Sequence, residues 1–343
     1  MTLKHAVCWS TAVFSVAAVA AASVGAQAPA SIAATYSVKS TYTPPRTPWG
    51  HPDLQGTYTN KDENGVPLER PNQLPAQEQL SEQEFRTIVG ERLEAARRNA
   101  PRIGGTAEDE TGAGPAHWYE SLDAQNHELW LVTDPRDGKI PGLTAEGQRR
   151  VAAQRANRGR VLQSPADHSL YDRCITRGVV GSMLPVIYGN SYQIVQSPDS
   201  VAIRYEMIHE TRVIPLDGRP HASAGVRTLM GDARGRWEGN TLVVETTNFT
   251  ARTSIGVNGG GTPHSAALTL TERFTPVDGK MLKWEVTVDD PQTWTRPWTF
   301  AMPLTKDASQ EVFEYACHEG NYAMRNMLSA VQKESAANEQ DKK

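Results

Sequence analysis

From about residue 191 the chain alternates apolar and polar positions with the two-residue period of half-buried strands, interrupted at short intervals by turn-forming residues. Turns are signalled at Ser197-Pro198-Asp199-Ser200, Leu216-Asp217-Gly218, Glu238-Gly239-Asn240 and Val277-Asp278-Gly279. The runs between them predict strands over about 191–197, 201–209, 211–216, 233–238, 241–249, 267–275, 281–289 and 311–317. Two more are expected earlier, over 54–60 and, short and buried, at 129–132. Consecutive antiparallel strands with short turns predict a mainly β fold, an antiparallel up-and-down barrel or a curled sheet. No internal repeat suggests a propeller.

A helical insertion is expected over about 78–172. Ser81 with Glu84 makes a capping box, and Phe85, Ile88, Val89 and Leu93 recur at helical spacing through to Arg98. Thr144 caps a second helix reaching about Arg158, on which Arg149, Arg150, Arg155, Arg158 and Arg160 read as a solvated face. A last helix is expected over about 321–334. The Pro-rich stretch before residue 54 ends in PPRTPWGHPDLQG, so residues 27–53 read as an extended arm docked through Trp49, ahead of a single domain over 54–343.

Residues 1–26 read as a signal peptide: Lys4 and His5 precede the apolar run Ala6 to Val19, and Val24-Gly25-Ala26 offers small residues for cleavage. Localisation is therefore expected to be periplasmic or secreted, after cleavage near Ala26. Later segments fall short of the eighteen or so apolar residues that an integral membrane span needs. With 35 Lys and Arg against 39 Asp and Glu and no basic block, nucleic acid is not expected as a partner. Cys8 leaves with the signal, so Cys174 and Cys317 remain as the possible intramolecular pair. In an oxidising compartment they read as a disulfide, with two buried thiols as the alternative. The expected bridge joins the segment before the barrel to its last strand.

Strand parity nominates the chemistry. In 201–213 the odd positions Val201, Ile203, Tyr205, Met207, His209, Thr211 and Val213 form the expected inward row, and Arg204, Glu206, Glu210 and Arg212 form the solvent side. Along 268–274 the row Leu268, Leu270, Glu272, Phe274 places one carboxylate among apolar neighbours, opposite the wholly apolar row Leu282, Trp284, Val286, Val288 of its hairpin partner. A buried carboxylate is costly unless paired or protonated. His209 and Glu272 are therefore the expected inward ionisable groups. Together they suit proton transfer, with the carboxylate orienting the imidazole and Tyr205 or Arg212 stabilising negative charge. The plainer alternatives are a hydrogen-bonded core histidine and a buried ion pair that fixes barrel register.

Other chemistries are less well signalled. His209, His221 and His318, with Glu206 or Glu319, form a weak metal alternative that lacks HxH, HExxH or CxxC spacing. The pairs His117–Trp118 and His127–Trp130 fit a pocket mouth or simple packing. There is no GxSxG elbow, and Gly256 to Gly261 reads as a flexible loop rather than a phosphate cradle, because no helix follows it. No cofactor is expected.

The segments TPWGHPDLQG, CITRG, GSMLP, EMIHETRVIPLDGRPH, GDARGRWEGNTLVVETTNF, VTVDDPQTWTRPW and EYACHEGNY together resemble a large family of exported bacterial proteins, most of them without an assigned activity. The resemblance runs from about Thr47 to Leu328 and carries no catalytic assignment; His51 stands where relatives tend to have Asp. Gly56 with Tyr58, and the GRWEGNTL hairpin, also resemble lipocalin-like (calycin-like) and fatty-acid-binding-like barrels, an analogy of fold only. The expected activity is that of an exported, cofactor-independent lyase or isomerase acting on a small apolar or aromatic molecule in a barrel cavity. The alternatives are a periplasmic small-ligand binding or carrier protein, and a His-ligated metalloenzyme.

Overall fold

The computed structural model describes residues 42–74, parts of 81–94, Glu120, and residues 129–158, 162–186, 188–309, 311–319 and 321–330. The expected signal peptide, the first part of the expected arm, and His117, Trp118 and His127 lie outside the described residues. The strands are β1 Gly56–Thr59, β2 Val132–Asp134, β3 Ser191–Gln196, β4 Ser200–Tyr205, β5 Thr211–Pro215 and β6 Asp232–Glu238. They continue with β7 Thr241–Thr247, β8 Ser254–Ile255, β9 Thr262–Pro263, β10 Thr269–Pro276, β11 Met281–Asp289 and β12 Trp298–Lys306. Among the described residues the helices are α1 Ala145–Arg158 and α2 Gly178–Gly181, with further helical residues within 83–94, where the capped helix was expected, and over 322–330.

Nine strands follow one antiparallel path, β5-β4-β3-β1-β12-β11-β10-β7-β6, and β2 adds to β12 from outside that path. The sheet curls until its two end strands meet, which makes the fold mainly antiparallel β with a nearly closed barrel. β5 and β6 lie side by side with no ladder between them. A side chain on Gly235 of β6 would bring its Cβ to 2.8 Å from Ile214 Cγ2 of β5, so the missing side chain is what allows the seam to close.

The alternation carries the core. Leu282, Trp284, Val286 and Val288 of β11 face inward beside Trp298, Phe300, Met302 and Leu304 of β12, and Leu270, Glu272 and Phe274 of β10 complete the wall. Burial of each large apolar side chain contributes about 1.5–3 kcal/mol. The rings interlock edge to face, with the Trp284 and Phe300 centroids 5.4 Å apart. Helix α1 begins where its sequence says it should: Thr144 Oγ1 accepts the Gly147 amide at 3.0 Å. Its arginine face is only partly solvated, because Arg150 Nη2 donates to the Thr293 hydroxyl at 2.7 Å and to the Gln292 carbonyl at 2.6 Å, docking the helix on the β11–β12 connection.

Several expectations change. The strand expected over 201–209 ends at Tyr205, and a 3-10 turn occupies Met207–His209. β12 was not foreseen, because Pro303 within WTFAMPLTK removes a ladder donor and masks an alternating strand. Residues 311–317 are not a strand but an irregular strap. The Gly256 to Gly261 loop is structured: it turns at Val257–Gly259 between β8 and β9 and packs against α2. In the arm, His51 stacks on Trp237 with ring centroids 5.5 Å apart, and Thr47 is buried while Trp49 is half-buried.

Cys174 and Cys317 are bonded, with Cα atoms 5.8 Å apart. The bond ties the segment before α2 to the strap after the barrel, not to the last strand. It spans 143 residues of sequence, so in the chain-entropy view it restricts the unfolded state by about 4–5 kcal/mol. Reduction of exported protein is expected to lower the unfolding free energy by an amount of that order in urea titrations. Two free thiols in non-reducing peptide maps, or an unchanged midpoint after reduction, would contradict the bond's structural role.

Candidate functional site

The inward carboxylate is where the alternation places it. Glu272 has no exposed surface, yet its partner is Arg212 rather than His209: Arg212 Nη1 donates to Glu272 Oε2 at 2.7 Å. Trp284 Nε1 donates to the other oxygen at 3.1 Å. The change of partner follows from the backbone between β4 and β5. Ile208 and His209 adopt φ of 61° and 43°, the left-handed region that costs a non-glycine residue free energy. That turn shifts the alternation by one residue. His209 is thrown out to the surface, where its Nδ1–H donates to the Tyr315 carbonyl at 2.9 Å, and Arg212 and Ile214 turn inward while Val213 is exposed.

The expected His209–Glu272 pair is therefore not formed. Arg212, expected on the solvent side, is the buried cation. Burial works to lower its pKa, but Glu272 and Tyr205 more than offset that, and the guanidinium is held above its ordinary value. Tyr205 is inward as expected, fully buried, with its hydroxyl unpartnered. Burial raises the phenol's pKa, with Glu272 and Glu210 adding and Arg212 opposing. The interior around the pair is filled: Tyr205, Glu272, Phe274, Trp284, Val286 and Phe300 all have no surface that water can reach. Interlocked walls and a neutralised carboxylate leave little there for a substrate to engage.

The metal alternative does not assemble either. His221 lies on the outer side of β6 and β7, its Nδ1 3.0 Å from Asp232 Oδ2 and its Nε2 3.1 Å from Glu245 Oε1. His209, in the turn after β4, is bonded to the Tyr315 carbonyl, and His318 is exposed on the strap. Among the described residues no three His, Cys, Asp or Glu side chains are grouped as a metal site.

A second polar cluster lies at the barrel end that carries the disulfide. Arg177, between Cys174 and α2, is 1% exposed, and its Nε and Nη2 have no hydrogen-bond partner. Its guanidinium carbon lies 5.8 Å from the centre of the Tyr171 ring. Burial lowers its pKa, and the groups that oppose this are Tyr192, Tyr171, Tyr315 and Tyr188. Tyr171, Tyr188 and Tyr315 are themselves joined by side-chain hydrogen bonds. Burial raises the pKa of Tyr188 and Tyr315, so these hydroxyls remain neutral donors. Tyr192, which donates to Asn60 Oδ1 at 3.0 Å, stacks edge-on against Tyr205 with centroids 6.1 Å apart and so links this cluster to the barrel interior.

Carboxylates border the same end. Thr176 donates to Glu210 Oε2 at 2.7 Å. Glu120 accepts from the Gly189 amide at 2.8 Å and from Asn190 Nδ2 at 2.8 Å. Glu206 is pushed up to about 7 by burial and by Glu120, against the opposing bond from Ser191 and the charge of Arg204. Sequence reasoning named Tyr205, Arg212 and Glu272 but not Arg177. The CITRG segment carries no periodicity that would distinguish a buried arginine from a surface one.

No family model and no curated protein matches the chain. Among solved structures it is similar to a secretary abundant heat soluble (SAHS) protein from Ramazzottius varieornatus, with 14% identity over 40% of this chain and 87% of that one. The TM-score is 0.23, too low to carry any argument about fold or function. The barrel assignment rests on strand register alone.

Glu206 generates a pH prediction. A carboxyl whose pKa is raised from 4.5 to about 7 on folding holds its proton more tightly in the folded state. Its contribution is fully present below the unfolded value and is lost as pH rises through about 7. Wild type should therefore lose stability relative to Glu206→Gln between those two values and track it in parallel above them. Urea midpoints of both proteins across the range check this; a gap that stays constant with pH would contradict it.

Proposed function

We propose that the chain is an exported small-ligand binding or carrier protein, built on a filled barrel that recognises its ligand at the disulfide-bearing end. The supporting observation is Arg177: a guanidinium buried with two unpartnered donors and ringed by tyrosines is costly unless an acceptor completes it. Arg212 offers no comparable demand, because Glu272 already balances its charge. The paired cysteines agree with an exported location, and among the described residues no helix is long and apolar enough to cross a membrane. Membership of the family of exported bacterial proteins that the motifs resemble is part of the same proposal.

A second reading, the cofactor-independent lyase or isomerase, is favoured by one group. Glu206 titrates near 7 at the same barrel end, within the range that suits a general acid or base. In that reading Glu206 replaces His209, which is exposed and bonded to the strap carbonyl of Tyr315, and Glu272, whose oxygens are both occupied.

Native mass spectrometry of protein exported by its own signal separates the two. A carrier should retain a small organic molecule and release it chemically unchanged after incubation, in wild type and in Glu206→Gln alike. Conversion of the released molecule by wild type but not by Glu206→Gln would establish the enzyme instead. Protein that is ligand-free from every exporting host would end the carrier reading.

A further inference from the structure

We propose that Arg177 anchors a binding site for the carboxylate of a small organic acid, with hydroxyls of Tyr171, Tyr188 and Tyr315 as neutral donors around it. This inference deepens the carrier reading and rests on it. The two unpartnered nitrogens, Nε and Nη2, form one edge of the guanidinium plane. That edge presents two parallel N–H donors at the spacing of the two oxygens of a single carboxylate. Lone acceptors would satisfy one donor and leave the other empty. The charge argues the same way: the groups that oppose the effect of burial on Arg177 are tyrosines and not carboxylates, so an anion is what balances it. Arg212 has the same unpartnered edge, but its charge is already met by Glu272.

The wall over Arg177 is built from segments outside the strand ladders. Tyr315 belongs to the strap 311–319, which joins no strand ladder and is held through Cys317, through the bond from His209 to the Tyr315 carbonyl, and through the bonds of the Tyr315 hydroxyl to Tyr171 and Tyr188. Tyr171, Tyr188 and Tyr315 are half-buried, whereas the barrel residues behind them are fully buried. A carboxylate therefore enters by displacing the hydrogen bonds that the three tyrosines now make with one another, and the strap closes over it. Tyrosine rings along this path suit an acid with an aromatic or apolar body.

Calorimetric titration of the full exported, disulfide-bonded protein with benzoate tests the site, with sodium chloride as a competing simple anion. Arg177→Met should weaken benzoate binding by about tenfold or more, and Tyr315→Phe by about fivefold, as expected for loss of a charge-assisted and of a neutral hydrogen bond. Benzoate should also raise the melting temperature of wild type in a concentration-dependent way. If Arg177→Met unfolds, Tyr315→Phe carries the test, because it removes one exposed-side hydroxyl and keeps the ring. Equal benzoate affinity in wild type and both variants overturns the proposal. So does a wild type that benzoate neither binds nor stabilises, or one that chloride alone saturates. A co-purifying molecule retained by Arg177→Met would sink this inference and leave the carrier reading standing; loss of every ligand from wild type would sink the carrier reading itself.

Discussion

The barrel depends on the ion pair between Arg212 and Glu272. Arg212 is on β5, one end of the nine-strand path, and Glu272 is on β10, two strands in from the other end. Between the end strands β5 and β6 there is no backbone ladder. The pair thus reaches across the seam and joins the two halves of the sheet from the inside, where the ladder is missing. Burial of two charges costs several kcal/mol per ion, and attraction recovers it only with good geometry and further hydrogen bonds. The 2.7 Å contact and the Trp284 donor to the second carboxylate oxygen supply both.

That constraint shapes what the protein can do. With Glu272 neutralised and its neighbours interlocked, the interior acts as a core rather than as a cavity. A buried charge without a counter-charge lies instead at the end of the barrel, reached through Tyr205 and Tyr192, where Nε and Nη2 of Arg177 have no acceptor. The disulfide holds the two segments that make this end, one before α2 and one after β12, although neither belongs to the barrel wall. Function at a barrel end built from connecting segments fits the general division of labour between rigid scaffold and variable loops.

Much of the fold was legible because it obeys a period of two. The β10–β11 hairpin reads directly from Leu268 to Val288, including the one carboxylate in the inward row, and the cysteine pairing follows from the even count left by the expected loss of Cys8. What was hidden had local physical causes. Pro303 disguised β12, and the Cys317 strap looked like a strand because short apolar stretches have no unique reading. The site was legible only in part. Tyr205, Arg212 and Glu272 could be named, but the left-handed residues Ile208 and His209 exchange the faces of His209 and Arg212, and nothing in Met-Ile-His announces such a turn. Arg177 was missed because burial of a single arginine outside a periodic segment is set by tertiary packing.

A double-mutant cycle on Arg212 and Glu272, followed by urea unfolding, measures the clasp directly. Arg212→Met and Glu272→Leu should each cost about 3–5 kcal/mol, because each leaves one buried charge unpaired, while the double variant should recover a large part of the summed loss. Single variants close to wild type, or costs that simply add, would mean that the barrel closes without the pair.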